Sequence, residues 1–177
     1  MREPVDAARL ARVLDAFGRA ADRPVRVYLV GGATAVAEGW RDATVDVDFV
    51  LRPENAALLR AVPALKDRLG VNVELASPLD FIPVPAGWED RSPFVRRAGP
   101  VAVHHFDLVA QALAKVERGH ARDLADVRAM VARGLVTPAA AWRSFAYIEP
   151  ELYRFPAVEP AAFRAAVARA FGHPPAP

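Results

Sequence analysis

The chain has 177 residues, of which 53% are hydrophobic and 25% charged, so its composition is that of a globular protein and excludes a disordered chain. It contains no cysteine, which excludes a disulfide scaffold, a thiolate metal site and a cysteine nucleophile. The formal net charge of +2 permits nucleic-acid binding without indicating it. The charged start leads into no apolar segment and no stretch is long enough to span a membrane, so we expect a soluble cytoplasmic protein without a membrane partner.

Hydrophobic periodicity predicts a small α/β half followed by a helical half. The elements expected in the first half are a helix over 5–21, a strand over 26–30, a glycine turn leading into a helix, a strand over 44–51, a helix over 54–69, and strands over 71–75 and 101–106. Helices are expected over 107–118, 121–133, 138–148 and 160–171. The Pro- and Gly-rich segment 77–100 is either a long functional loop or a broken strand pair.

These elements predict an α/β fold, a small mixed β-sheet flanked by helices, with a C-terminal helical bundle. We expect the α/β core to comprise residues 1–106 and the helical region, residues 107–177, to pack on it.

The strand over 44–51 places two carboxylates on one face. Its hydrophobic residues Val45, Val47 and Phe49 alternate with Asp46 and Asp48. Two neighbouring carboxylates repel each other unless a cation lies between them, and hard oxygen ligands suit Mg²⁺ or Mn²⁺. The strand therefore predicts a divalent-metal site.

A glycine turn precedes this strand. Gly31 and Gly32 join a strand to a helix, where exposed backbone N–H groups favour an anion and the missing side chains let a phosphate come close. An anion site and a divalent-metal site on consecutive elements are typical of a nucleoside triphosphate (NTP) site.

These residues resemble the nucleotidyltransferases of the DNA polymerase β-like superfamily. The family pattern of a hydrophobic residue with Gly-Gly, then Asp-hydrophobic-Asp, then a third acid between hydrophobic residues is matched by Val30-Gly31-Gly32, Asp46-Val47-Asp48 and Val73-Glu74-Leu75. The string from Arg41 to Asp48 is similar to the AbiEii-type bacterial group, which includes toxins of toxin-antitoxin pairs. That group also has a later Lys and an Arg/Lys-Asp-x-x-Asp helix, matched by Lys115 and by Arg122-Asp123-Leu124-Ala125-Asp126.

The resemblance implies the nucleotidyltransferase fold and the transfer of a nucleoside monophosphate from an NTP substrate to an acceptor, with Mg²⁺ or Mn²⁺ as cofactor. It assigns metal binding and catalysis to Asp46, Asp48 and Glu74. It assigns nucleotide binding to Gly31, Gly32, Arg41, Thr44, Lys115, Asp123 and Asp126.

Several alternatives stay open at this point. Asp80 is a rival to Glu74 as the third acid, and Lys115 could be a solvated helix residue. Arg122, Asp123 and Asp126 could form surface pairs or place stabilising acids at a helix N-terminus. The acceptor expected first is an RNA end such as tRNA, with an antitoxin protein as a possible partner. Arg91, Arg96, Arg97 and Trp88 could contact RNA or lie in a solvated loop. A small-molecule nucleotidyltransferase of the antibiotic-modifying kind and a non-catalytic binding module are the alternative functions.

The histidines do not indicate a zinc site. His104 and His105 are neighbours on one strand and point to opposite faces, and His120 and His173 are far away in sequence.

Overall fold

A computed structural model describes residues 3–174 of the chain. It divides into two compact units, each described below by itself. The first unit contains the described residues up to Ser77 together with Ser92–Phe106, and the second contains Pro78–Arg91 together with the described residues from Asp107 onward. The chain thus crosses between units twice within the segment 77–100 and again between Phe106 and Asp107, and the single boundary expected from the sequence lay after residue 106. Within residues 3–174, no helix combines the length and the apolar character that crossing a bilayer requires.

The first unit contains three helices and seven strands. In chain order they are β1 (Val5–Asp6), α1 (Ala7–Ala20), β2 (Val25–Val30), α2 (Gly31–Ala37), β3 (Ala43–Thr44), β4 (Asp46–Arg52), α3 (Ala56–Leu69), β5 (Asn72–Leu75), β6 (Phe94–Ala98) and β7 (Val101–His105). Two of the helices have side-chain caps that fix where they begin. Asp6 accepts from the backbone N–H of Arg9 at the start of α1, and Asn55 accepts from that of Leu58 at the start of α3.

Five strands form one mixed sheet in the order β5-β4-β2-β7-β6. Strand β2 is parallel to β7 and antiparallel to β4, while β4 is parallel to β5 and β6 is antiparallel to β7. A second, two-stranded sheet pairs β1 with β3. The expected combination of helices and a mixed sheet is therefore confirmed.

One face of the five-stranded sheet carries the hydrophobic core of the first unit. Leu29, Val47 and Phe49 are fully buried there, and Phe17 of α1 and Leu58 of α3 pack into the same cluster. Because side chains alternate along a strand, the acids of β4 must leave the opposite face. Burial of one face thereby fixes the register that groups the polar residues on the other.

The second unit is helical. Its helices are α4 (Leu108–Arg118), α5 (Ala121–Ala132), α6 (Pro138–Ile148) and α7 (Pro160–Phe171), with 3₁₀ turns at Pro78–Asp80 and Glu149–Arg154. Trp142, Phe145 and Phe163 are buried among these helices, and the ring of Phe145 meets the other two edge to face.

Two expectations about local structure were wrong. Val45 was placed with Val47 on the inner face of a strand, but it interrupts β3 and β4 and is 56% exposed. Val5 was placed in a helix, but it pairs as a strand with Thr44. Both residues lie in or beside the pairing of β1 with β3, which joins segments that are distant in sequence.

Candidate functional site

The glycine turn is built as expected from a strand that runs directly into a helix. Strand β2 ends at Val30 and helix α2 begins at Gly31. Gly31 has a φ of +59°, in the left-handed region that favours glycine. Gly32 is needed for a steric reason, because a Cβ on that residue would lie 2.1 Å from Oγ1 of Thr44.

This turn lies against the strand that carries the acids. A Cβ on Gly31 would be 3.5 Å from Oδ2 of Asp48, and one on Gly32 would be 3.5 Å from a guanidinium nitrogen of Arg41. The structure therefore brings together five residues that the sequence analysis assigned to one site: Gly31, Gly32, Arg41, Thr44 and Asp48. They come from α2, from β4 and from the segment between them.

The other two predicted acids lie on the same side of the sheet. Asp46 and Asp48 flank the fully buried Val47, and Asp48 is the register partner of Glu74 on β5. Asp46 and Asp48 are half-buried, while Glu74 is exposed. The three carboxylates thus leave adjacent positions on the face opposite the core.

An asparagine links two of these carboxylates. Asn72 is the register partner of Asp46, and its side-chain nitrogen donates to Oδ1 of Asp46 and to Oε1 of Glu74, each at 2.6 Å. Asn72 is not among the site residues expected from the sequence. The sequence does place Asn72 two residues before Glu74 on a strand, and residues i and i+2 share a face, so this spacing could have indicated that the two side chains are neighbours.

The donor chemistry of Asp46, Asp48, Asn72 and Glu74 fits a hard divalent cation, because these residues offer carboxylate and amide oxygens. The positions of these side chains do not yet form a metal site. Among residues 3–174, no group of three or more His, Asp or Glu side chains is arranged to hold a metal ion. The strands therefore supply suitable donors in register, with Asn72 bonded between two of them.

Lys115 lies in the second unit, bonded to the two acids that were predicted with it. The Lys115 ammonium is 3.0 Å from Oδ1 of Asp123 and 2.6 Å from Oδ2 of Asp126, and only 5% of the lysine side chain is exposed. Arg118 adds a second cation, 2.9 Å from Asp123. Helices α4 and α5 thus bring these residues into one buried ion cluster.

The pKa of Asp123 reflects this cluster. Burial opposes ionisation of the carboxyl group, but the hydrogen bond and charge of Lys115, together with the charge and hydrogen bond of Arg118, outweigh burial and hold the pKa below its usual range. Asp123 is therefore an acceptor for both cations.

The arginines proposed for RNA contact have separate environments. Arg91, in the second unit, pairs with Asp107 at 2.7 Å and donates to the carbonyls of Pro85 and Ala86. In the first unit, Arg96 pairs with Asp15 at 2.5 Å, whereas Arg97 is exposed on β6. Trp88 is 8% exposed. Arg91 thus braces a loop and Arg96 is held by an ion pair, whereas Arg97 is exposed on β6.

A buried array was missed by the sequence analysis altogether. It links Glu38 and Thr34 of the α2 region to His105 on β7, through contacts of 2.8 and 3.3 Å. The i, i+4 spacing of Thr34 and Glu38 was visible, but nothing in the sequence indicates that β7 would lie beside them.

Comparisons with known protein families, with curated proteins and with solved structures give no match. The geometry of the two units is therefore the basis for the function proposed next.

Proposed function

We propose that this chain is a metal-dependent nucleotidyltransferase of the nucleotidyltransferase fold, which moves a nucleoside monophosphate from an NTP to an acceptor nucleophile and releases pyrophosphate. The observation that carries the proposal is the approach of the glycine turn to Asp48 within a single unit. A phosphate-accepting backbone beside paired carboxylates is the combination that an NTP with its divalent cation requires.

In this proposal the backbone of Gly31 and Gly32 binds the β- and γ-phosphates. The phosphates would be bound by the backbone N–H groups of the turn, where Gly31 has no side chain to obstruct them. At Gly32 the missing side chain leaves room for Thr44. Arg41 lies beside Gly32 and supplies positive charge to the same phosphates. Thr44 is buried and fixes the distance between the turn and β4.

Asp46 and Asp48 would hold Mg²⁺ or Mn²⁺, with Glu74 as the third acid. When bound, the cation would neutralise the leaving triphosphate and lower the pKa of the attacking hydroxyl. Asp48 is the central member of this set, because it has the glycine turn on one side and Glu74 on the other.

The resemblance also assigns nucleotide binding to Lys115, Asp123 and Asp126, which form a cluster of their own in the second unit. The Lys115 ammonium is bonded to both acids and only 5% of its side chain is exposed, so in this arrangement the cluster joins α4 to α5 and a phosphate contact would need Lys115 to exchange a carboxylate for the phosphate.

An RNA end, with tRNA first, is the acceptor that we propose, and the chain would act as the toxin of a pair with an antitoxin protein. Support comes from the resemblance to the AbiEii-type group and from the exposed Arg97 on β6. Phosphate contacts by arginine would make RNA binding weaken with added salt.

The experiment uses each of the four NTPs, labelled at the α-phosphate, with Mg²⁺ or Mn²⁺ and three acceptor pools: total RNA, total protein and aminoglycosides. Label in RNA that needs the divalent cation is the expected result. NTP labelled at the γ-phosphate should leave no label, because pyrophosphate departs. Label in protein or aminoglycoside alone would refute the RNA acceptor and keep the chemistry, while no label in any pool would contradict the enzyme.

A further inference from the structure

The imidazole ring of His105 is held at both of its nitrogen atoms. His105 is 2% exposed, its Nε2 lies 2.8 Å from Oε1 of Glu38, and its Nδ1 lies 3.3 Å from Oγ1 of Thr34. Thr34 is itself only 1% exposed. This burial excludes a role for the hydroxyl as a nucleophile, so the array acts inside the fold.

The two partners of His105 tie helix α2 to strand β7. Thr34 is the fourth residue of α2 and Glu38 directly follows its last residue, so a spacing of four places both on one side of the helix. The ring bridges them from β7, the strand parallel to β2. Rotation or sliding of α2 would break at least one of these contacts.

The direction of each hydrogen bond follows from the chemistry of the groups. A carboxylate only accepts, so Nε2 carries a proton toward Glu38. In the neutral ring Nδ1 is then an acceptor for the Thr34 hydroxyl, whose single proton has a second acceptor, the Leu29 carbonyl, at 3.0 Å. Leu29 also accepts from the backbone N–H of Phe106 at 2.9 Å, so its carbonyl stays bonded in either case.

The ring is neutral at neutral pH. Burial lowers the pKa of His105 below the usual range for histidine, against the charge and hydrogen bond of Glu38, which raise it, while the charge of His104 lowers it further. Glu38 from the α2 region and His104 from the same strand are the titratable groups that act on the ring.

We propose that His105 is a positioning residue for phosphate binding, which fixes the glycine turn of Gly31 and Gly32 by holding helix α2 through Thr34 and Glu38. The inference rests on the proposed function, because it concerns the same nucleotide site. The turn is the first part of α2, Gly32 lies too close to Thr44 to carry a Cβ, and a Cβ on Gly31 would be 3.5 Å from Oδ2 of Asp48. A helix freed from β7 would therefore carry the turn away from the acids.

Hydrogen exchange of the ligand-free protein tests the clamp without any nucleotide. In His105→Gln we expect the amides of residues 33–38 to exchange about tenfold faster than in the wild type. Loss of one buried hydrogen bond increases the opening equilibrium constant by about that factor. His120→Gln is the control, since His120 is an exposed histidine of the second unit whose side chain makes no cap hydrogen bond. If His105→Gln does not fold, Thr34→Val removes the hydroxyl at nearly constant shape.

Nucleotide affinity separates positioning from packing. His105→Gln should bind MgATP, or whichever NTP the wild type binds, about tenfold more weakly, and His120→Gln should bind like the wild type. Faster exchange with unchanged affinity would overturn the positioning role, and so would unchanged exchange. If the wild type binds no NTP, the proposed function fails, and hydrogen exchange alone decides whether the ring fixes the turn.

The ring also has a spectroscopic signature. Nitrogen-15 shifts of His105 at neutral pH should show a protonated Nε2 and an unprotonated Nδ1. The pKa of His105 is lower in the folded protein than in the locally opened state, so local opening of α2 is accompanied by protonation of the ring when the pH falls through the usual histidine range. Hydrogen exchange of the α2 amides in the wild type, corrected for intrinsic rates, should therefore accelerate over that range. His105→Gln should lack this step, and a step of equal size in that variant would contradict the assignment.

Discussion

Asp48 and Glu74 are register partners on the parallel strands β4 and β5, so their carboxylates leave the same face of the sheet at adjacent positions. Neither strand alone produces this arrangement. It arises because Val47 and Val73, also register partners, are both buried in the core on the opposite face. The core packing of two valines thus determines where two acids meet.

This relationship distinguishes the two candidates for the third acid. Asp80 lies in a 3₁₀ turn of the helical unit, whereas Glu74 is linked to Asp46 through Asn72. We expect Glu74→Gln to weaken binding of Mn²⁺, measured by calorimetry or by manganese relaxation, and Asp80→Asn to leave it unchanged. The reverse order of the two variants would assign the third acid to Asp80.

Gly32→Ala should be destabilising because the new methyl group would lie 2.1 Å from Oγ1 and 2.8 Å from Cβ of Thr44. We expect a loss of about 1–3 kcal/mol in the free energy of unfolding, typical of an overpacked site, measured by urea denaturation. Thr44→Gly should recover part of that loss in the double variant, since it removes both clashing atoms. A double variant whose losses simply add would show that the contact with Thr44 is not the cause.

Lys115→Met should leave two buried carboxylates without their ammonium. Breaking a buried ion pair from one side costs about 3–5 kcal/mol, which urea denaturation would detect as a fall in the free energy of unfolding. Lys66→Met is the control, because Lys66 is the other lysine of the chain and lies in the last turn of α3. Equal, small effects of the two variants would contradict the importance of the cluster.

The cluster also predicts a pH dependence. The pKa of Asp123 is held below its usual value of 3.8, so its ionised form stabilises the fold above that pH, and the stabilisation is lost as the pH falls through the lower, folded-state value. The difference in the free energy of unfolding between the wild type and Asp123→Asn should be constant near neutrality and shrink in acid. A difference independent of pH would contradict this.

The elements that the sequence predicted well have strong local signals. The helix expected over 160–171 is observed at Pro160–Phe171, and the strand expected over 101–106 is observed at Val101–His105. In both, hydrophobic spacing and flanking turn residues act within one segment. The pairing of β1 with β3 and the strand β6 inside the Pro- and Gly-rich segment depend on partners elsewhere in the chain, so local periodicity could not reveal them.

The candidate site shows the same division. The residue types and their spacing predicted Gly31, Asp46 and Asp48 as members of one site, and the structure brings Gly31 close to Asp48. Asn72 and His105 escaped because their roles depend on which strands are neighbours. Spacing within one strand cannot reveal that a side chain on another strand lies opposite it.

The central claim is that the glycine turn and the acids of β4 bind an NTP together with a divalent cation. The most direct measurement is calorimetric titration of the wild type, Asp48→Asn and Asp42→Asn with ATP, CTP, GTP and UTP, with Mg²⁺ or Mn²⁺ and with a chelator. Asp42 is an exposed acid near the turn in sequence and serves as the control. We predict metal-dependent binding of at least one NTP by the wild type and by Asp42→Asn, and none by Asp48→Asn. Failure of the wild type to bind any of the four, or equal binding by Asp48→Asn, would contradict the account.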